Sequence, residues 1–303
     1  MSQPRHVTDA PARTSRSVGP VGPVGPVGSR WALPALVVSA LLALASAVGA
    51  GGQAPQGAQA KPVKALRALY VTGGGFHDFV AHEKILPPGV SERAKIKIDW
   101  TVDHTAGKST EVLIERHKNT DWTKDFDVVL YNMSFSHVVD PEWIGRLARA
   151  HHDSGIGAVI LHGAVHSYRR SESRAWGELM GAFSLRHDAQ RPMTVESVAP
   201  NHPIMRGVPL KWETIPEELY VLEKVWPTMT PLAQSFSVES QKTYPVMWTN
   251  THGKAKVFVT SLGHNTAMIA NPLYLDIVGR SLLWTAGRLK DDGTPQAGYA
   301  GRK

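Results

Sequence analysis

This 303-residue chain contains no cysteine. That absence removes disulfide staples, thiol nucleophiles, thiolate-ligated zinc, iron–sulfur clusters and a lipobox-type lipid anchor. Clustered charge of one sign is also missing. The formal charge is +7, of which four arginines and one aspartate within the first sixty residues account for +3, leaving +4. Those charges are interspersed, and no RNP-like, zinc-finger or helix-turn-helix pattern accompanies them, so no nucleic-acid partner is expected. Neither a Walker lysine nor a Gly-x-Gly-x-x-Gly fingerprint is present, so no nucleotide cofactor is expected. A Gly-x-Ser-x-Gly elbow is lacking too, which with the missing cysteine argues against covalent serine or cysteine catalysis.

Long apolar runs are confined to one place. Trp31 to Ala50 carries no charge, comes after Arg5, Arg13, Arg16 and Arg30, and precedes Ala58-Gln59-Ala60, a small-x-small cleavage pattern. Residues 1–60 therefore read as a signal peptide, or as an N-terminal anchor if uncleaved, with a low-complexity Val-Gly-Pro segment inside them. Export to the periplasm or the outside is expected, with a membrane contact only in the uncleaved case. Residues 61–289 suit one domain with an ample core, and 290–303 reads as a disordered tail.

What the domain does have is an alternation of strands and helices. Ala65–Thr72, Ile96–Val102, Phe126–Asn132 and Gly157–Leu161 are strand-like runs. Short helices are expected around Phe79–Ile85, Thr110–Arg116 and from Ser171 or Ser173 to Met180. A longer one starts after the N-cap Asp140, with Pro141 at its first position. This pattern predicts an α/β fold, a parallel sheet with helices on both faces. Further strands are expected at Met193–Ala199, Leu219–Glu223, Pro231–Phe236, Val246–Thr251 and Lys256–Ser261, and a closing helix at Pro272–Arg288.

Three strand-like runs end in histidine: Gly73-Gly74-Gly75-Phe76-His77, Leu161-His162-Gly163-Ala164-Val165-His166, and Ser261-Leu262-Gly263-His264-Asn265. The carboxyl edge of a parallel sheet is where such folds place their ligand crevice. His77, His162, His166 and His264 are thus expected to converge there with Glu218 as acid–base or metal-ligand groups. His77, His162 and His166 are the candidate ligands of a divalent metal such as zinc. Tyr168, Arg169 and Asn265 are candidate substrate contacts, offering a phenol, a fixed positive charge and an amide to an oxygen-rich ligand.

These segments, with Asp127–Met133, Asn201-His202-Pro203-Ile204, Glu217-Glu218-Leu219-Tyr220 and Leu283-Trp284-Thr285-Ala286-Gly287, resemble the ThuA-like, or trehalose-utilisation, family over roughly Leu66 to Leu289. One departure is Ser134, where relatives often carry cysteine. The resemblance implies a flavodoxin-like, class I glutamine amidotransferase-like fold whose nucleophile has been lost. It also implies carbohydrate metabolism, with a disaccharide or keto-sugar as the small-molecule partner. The expected chemistry is metal-assisted or His/Glu acid–base hydrolysis, elimination or isomerisation; the alternative is a non-catalytic saccharide-binding module on the same scaffold.

Overall fold

The computed structural model describes residues 64–298; the expected leader, including Trp31–Ala50, lies outside them. Among the described residues no helix is long and apolar enough to cross a membrane.

Five strands form the parallel half of a nine-stranded sheet: β1 (Leu66–Gly74), β2 (Ile98–Thr105), β3 (Val128–Ser134), β4 (Gly157–Leu161) and, far along the chain, β11 (Ala255–Thr260). Their order is β2-β1-β3-β4-β11, the doubly wound order of flavodoxin-like sheets. The remaining strands enter between β4 and β11 in sequence. These are β5 (Ala182–His187), β6 (Thr194–Ser197), β7 (Lys211–Glu213), β8 (Tyr220–Val225), β9 (Thr230–Ser237) and β10 (Lys242–His252). β10, β9, β6 and β7 extend the sheet antiparallel beyond β11, whereas β5 and β8 make a separate antiparallel pair. The parallel sheet expected from sequence is present, and four antiparallel strands extend it.

The parallel strands are buried on both faces, so their side chains alternate between two cores. Leu66, Ala68, Tyr70, Val128, Leu130, Val159 and Phe258 face one core, with Leu86 and Val90 of α1 (Phe79–Ala94). Leu69, Val71, Val129, Tyr131, Ile160 and Val259 face the other, with Trp143 and Leu147 of α2 (Pro141–Ser154) and Trp176 of α3 (Ala175–Met180). This two-sided burial is why the strands read as continuous apolar runs rather than as alternations. Asp140 caps α2 through Glu142 N and Trp143 N, with Pro141 behind it, as expected. A four-residue α4 (Thr266–Ile269) precedes α5 (Pro272–Thr285), whose Leu275, Val278 and Leu282 join α1 in the first core.

Several boundaries differ from expectation. α1 runs through Pro87 and Pro88 to Ala94, because Leu86, Val90 and Ala94 are buried on one side of it. The expected helix at Thr110–Arg116 is irregular chain leading into a single tight turn, Glu115–Lys118. The tail expected to be disordered is folded back up to residue 298: Lys290 N donates to Thr294 O, and Arg206 Nε donates to Asp291 O.

Candidate functional site

Three carboxyl ends of the sheet converge. β1 leads through its glycines to His77, β4 ends at His162, and the chain after β11 turns through Gly263 to His264. His162 sits at the apex of the strand-to-turn junction, at φ +37, a left-handed conformation that a non-glycine residue adopts at a cost of about 1–3 kcal/mol. This is the elbow on which related topologies mount a nucleophile, here presenting an imidazole. The next residue is glycine, and a Cβ there would stand 3.0 Å from His77 Nε2 and 3.1 Å from Met133 O, close enough to press on the His77 ring. Gly263 is constrained more tightly, at φ +112 with the Tyr274 hydroxyl 2.5 Å from where a Cβ would lie.

The ring centroids of His77, His162 and His264 lie 4.8–5.1 Å apart, edge to face. Backbone carbonyls fix two of the tautomers. His162 Nδ1 donates to Ser261 O at 2.6 Å and His77 Nδ1 donates to His264 O at 3.2 Å. Since a carbonyl only accepts, the proton is on Nδ1 in both rings and each Nε2 carries a bare lone pair. The Nε2 of His162 faces two donors, the Tyr220 hydroxyl at 3.3 Å and His264 Nδ1 at 3.2 Å. Burial, then the neighbouring His264, lowers His77 to about 4; burial, then His77, holds His162 well below the usual imidazole range. Both rings are neutral at pH 7.

His264 behaves oppositely. Its Nδ1 lies 3.3 Å from Glu218 Oε1, and this hydrogen bond raises its pKa against the opposing effect of burial. Burial alone would raise the Glu218 carboxyl; His264 and His187 outweigh it and hold Glu218 below its ordinary value. Glu218 Oε2 also stands 3.5 Å from His162 Nε2 and 3.6 Å from His187 Nε2.

Beneath these groups, the fully buried Glu217 carboxylate accepts Gly263 N at 2.9 Å and His264 N at 3.1 Å, clamping the turn that carries His264. Burial pushes Glu217 up to about 7, the two backbone donors pulling the other way. Glu217→Ala leaves both donors without their acceptor, at about 1–3 kcal/mol each. A loss of about 2–5 kcal/mol in urea unfolding is therefore expected; a change below about 1 kcal/mol would show that the clamp contributes nothing.

Not every expected residue joins this group. His166 is not placed as a metal ligand. Its Nδ1 accepts from Arg169 at 2.9 Å and its Nε2 donates to Ser184 Oγ at 2.9 Å, so no lone pair is free, and the ring stacks on Tyr220 at 3.8 Å. The third member of the only cluster of metal-capable donors among the described residues is His264; with His77 and His162 it offers nitrogens within 4.8 Å of one another. Tyr168 is a core residue, 3 % exposed against Trp176, rather than a substrate contact. Asn265 is occupied in capping α4 and bonding Pro216 O. Arg169 does face the crevice. There a cavity of about 140 Å³ is lined by Phe76, His77, Ser136, His166, His187, Glu218, Tyr220 and His264, among others, and Ser134 also borders it.

Three contributors escape a reading of the sequence. His187 lies on β5, which was not expected, although Phe183-Ser184-Leu185-Arg186 alternates as a strand would. Gln190, in the loop beyond it, donates to His264 Nε2 at 2.8 Å and carries no sequence signal. Glu217 is adjacent to the expected Glu218, and its hydrogen bonds from Gly263 N and His264 N show that it is the carboxylate turned inward.

A flavodoxin-like sheet bearing histidine at its elbow, without serine or cysteine there, defines the class: an α/β scaffold of glutamine amidotransferase type with a histidine-lined crevice. The chain belongs to the trehalose-utilisation (ThuA) family, a carbohydrate-related family whose model matches residues 59–285. Its fold is similar to that of a ThuA-like protein from Parabacteroides merdae, at 18% identity and a TM-score of 0.57, covering 79% of this chain and 98% of that one. It is also similar to a ThuA-like protein from Bacteroides uniformis, at 15% identity and 0.54, covering 78% and 96%. No curated protein gives a significant sequence match.

Proposed function

We propose that the crevice is the active site of a carbohydrate-processing enzyme acting on a disaccharide or its keto derivative, exported as the leader suggests. The observation that carries this is the convergence of two neutral imidazoles, His77 and the fully buried His162, with the Glu218–His264 pair beside a cavity lined by His77, Glu218 and His264. Backbone strain at His162 and a buried carboxylate at Glu217 hold that arrangement in place. Strain and buried charge of this kind are characteristic of reacting centres rather than of packing.

In this reading Glu218 accepts from His264 Nδ1, which fixes the tautomer, and His264 Nε2 takes or returns a proton once substrate displaces the Gln190 amide that bonds it. A keto group beside the abstracted C–H lowers the barrier to that transfer, which suits isomerisation or elimination, and a water in place of the C–H suits hydrolysis. Arg169 supplies donors to sugar oxygens. The mixed donor set of imidazoles and one carboxylate also fits a divalent metal such as zinc, held by His77, His162 and His264 with Glu218 nearby. The 4.8 Å bound on the nitrogens exceeds the roughly 3.4 Å edge of a tetrahedral zinc site, so the rings would draw together on binding. When bound, the ion would polarise a sugar oxygen.

Zinc separates the two forms. A protein purified without a histidine tag and titrated with zinc is expected to gain about 3 kcal/mol of apparent stability at 100 times the dissociation constant, seen as a rise in Tm. The gain should vanish in His77→Ala. No shift, and no metal by elemental analysis, leaves proton transfer by His264 as the operating form. Binding of disaccharides with no product from either the sugar or its keto derivative would replace the enzyme with a binding module.

A further inference from the structure

A second cavity, about 640 Å³, opens on the other side of His77. It is lined by Gly74, His77, Asp78, Phe79, Val80, Glu83, Lys84, His104, Ala106, Gly107 and Lys108, so His77 is a wall common to both spaces. The inner cavity's 140 Å³ corresponds to about five water molecules, room for the reacting end of one sugar ring and little more. Together the two fall inside the roughly 300–1,000 Å³ typical of small-molecule sites, which the inner one alone does not reach.

We propose that the outer cavity is a second subsite, holding the non-reacting ring of a two-ring neutral saccharide while the reacting ring lies in the inner cavity against His77, Glu218 and His264; this rests on the saccharide reading above. The chemistry of the walls favours a neutral polyol. Asp78 and Glu83 balance Lys84 and Lys108, so no net field selects an anion. Glu83 is paired with His104, which holds a carboxylate and an imidazole side by side as acceptor and donor for vicinal hydroxyls. An apolar surface runs beside them: Val80 is 56 % exposed, and Phe76, at the rim of the inner cavity, is 65 % exposed. Phe76 is held at φ +76, outside the range a phenylalanine ordinarily takes. An aromatic face and polar groups within reach of one another match a sugar ring, which has an apolar C–H face and a hydroxyl edge.

Ala106 is exposed and lines the outer cavity but not the inner one, so Ala106→Trp narrows the outer space while leaving His162 and His264, which do not line it, in place. Calorimetric titration of the wild type with trehalose and with methyl α-glucoside is expected to show a trehalose advantage of at least about tenfold. In Ala106→Trp the ratio should collapse toward one, and in Lys108→Ala, a milder second variant, it should fall severalfold. Equal wild-type affinities, or a ratio that survives in Ala106→Trp, overturn the subsite while leaving the saccharide reading intact. If the wild type binds neither sugar, the saccharide reading fails and the subsite with it.

Discussion

Lowering the pH from about 7 to about 4.5 is expected to unfold this domain cooperatively, above the pH at which ordinary carboxylates protonate. Six histidines carry the effect. Burial, the leading cause in each, lowers His77, His82 and His151 to about 4 and His117 to about 3, and holds His162 and His166 well below the usual range. In the unfolded chain each titrates near its ordinary 6.5, so between about 6.5 and 4 the unfolded state binds more protons than the native one. Stability is then fully present above about 6.5 and lost as pH falls through the window. With up to six protons at about 1.4 kcal/mol each per pH unit, the loss is on the order of 10 kcal/mol by about pH 5. A domain's whole stability is about 5–15 kcal/mol.

Two groups oppose the loss. The raised pKa values of Glu217 and His264 mean that the native state takes up their protons first, which returns stability as pH falls. Glu217, at about 7, returns roughly 2 kcal/mol over the same interval, too little to reverse the sign. Circular dichroism against pH, with urea titrations at two or three pH values, measures the slope. A domain that stays folded with unchanged urea midpoint down to about pH 4 would show that these imidazoles are not held neutral by burial.

The second large effect is on catalysis. His264→Ala is expected to lower turnover of a keto-disaccharide by about 10²–10⁴-fold, the range associated with losing a positioned acid–base group. The fold should survive, because the ring is 19 % exposed and the Glu217 clamp grips the backbone of residue 264 rather than its side chain. A pH profile distinguishes this from a packing defect. In the wild type, activity should change near the raised pKa of His264, and the variant should lose that limb. His252→Ala, remote from the crevice lining, serves as a comparison. Unchanged turnover in His264→Ala would remove this residue from the chemistry.

Much of this was legible in the sequence because strands buried on both faces leave long apolar runs, and the residues just past each run mark the sheet's carboxyl edge. Val71-Thr72-Gly73-Gly74, Val159-Ile160-Leu161 and Val257–Thr260 therefore placed His77, His162 and His264 together without any coordinates. The site's second layer was not legible in the same way. Tyr168 and Asn265 carry polar groups beside the histidines, but the sign of their exposure depends on backbone turns: Tyr168 takes φ +61 and points into the core, and Asn265 caps a helix. His166 and His162 are four residues apart, yet the elbow between them buries His162 completely against Ser261 O and the Tyr220 hydroxyl and leaves His166 on the crevice wall with both nitrogens committed to Arg169 and Ser184. Between adjacent carboxylates, Glu217 and Glu218, sequence supplies no basis for deciding which supports the backbone and which faces the cavity.

The most direct test of a shared histidine site is the imidazole nitrogen spectrum of ¹⁵N-histidine-labelled protein at about pH 6.5, before and after addition of zinc or trehalose. His77 and His162 are predicted to be neutral, protonated on Nδ1 with Nε2 bare, and to shift together with His264 when one ligand is added. Protonated rings at positions 77 and 162, the opposite tautomer, or three resonances that respond independently would contradict it.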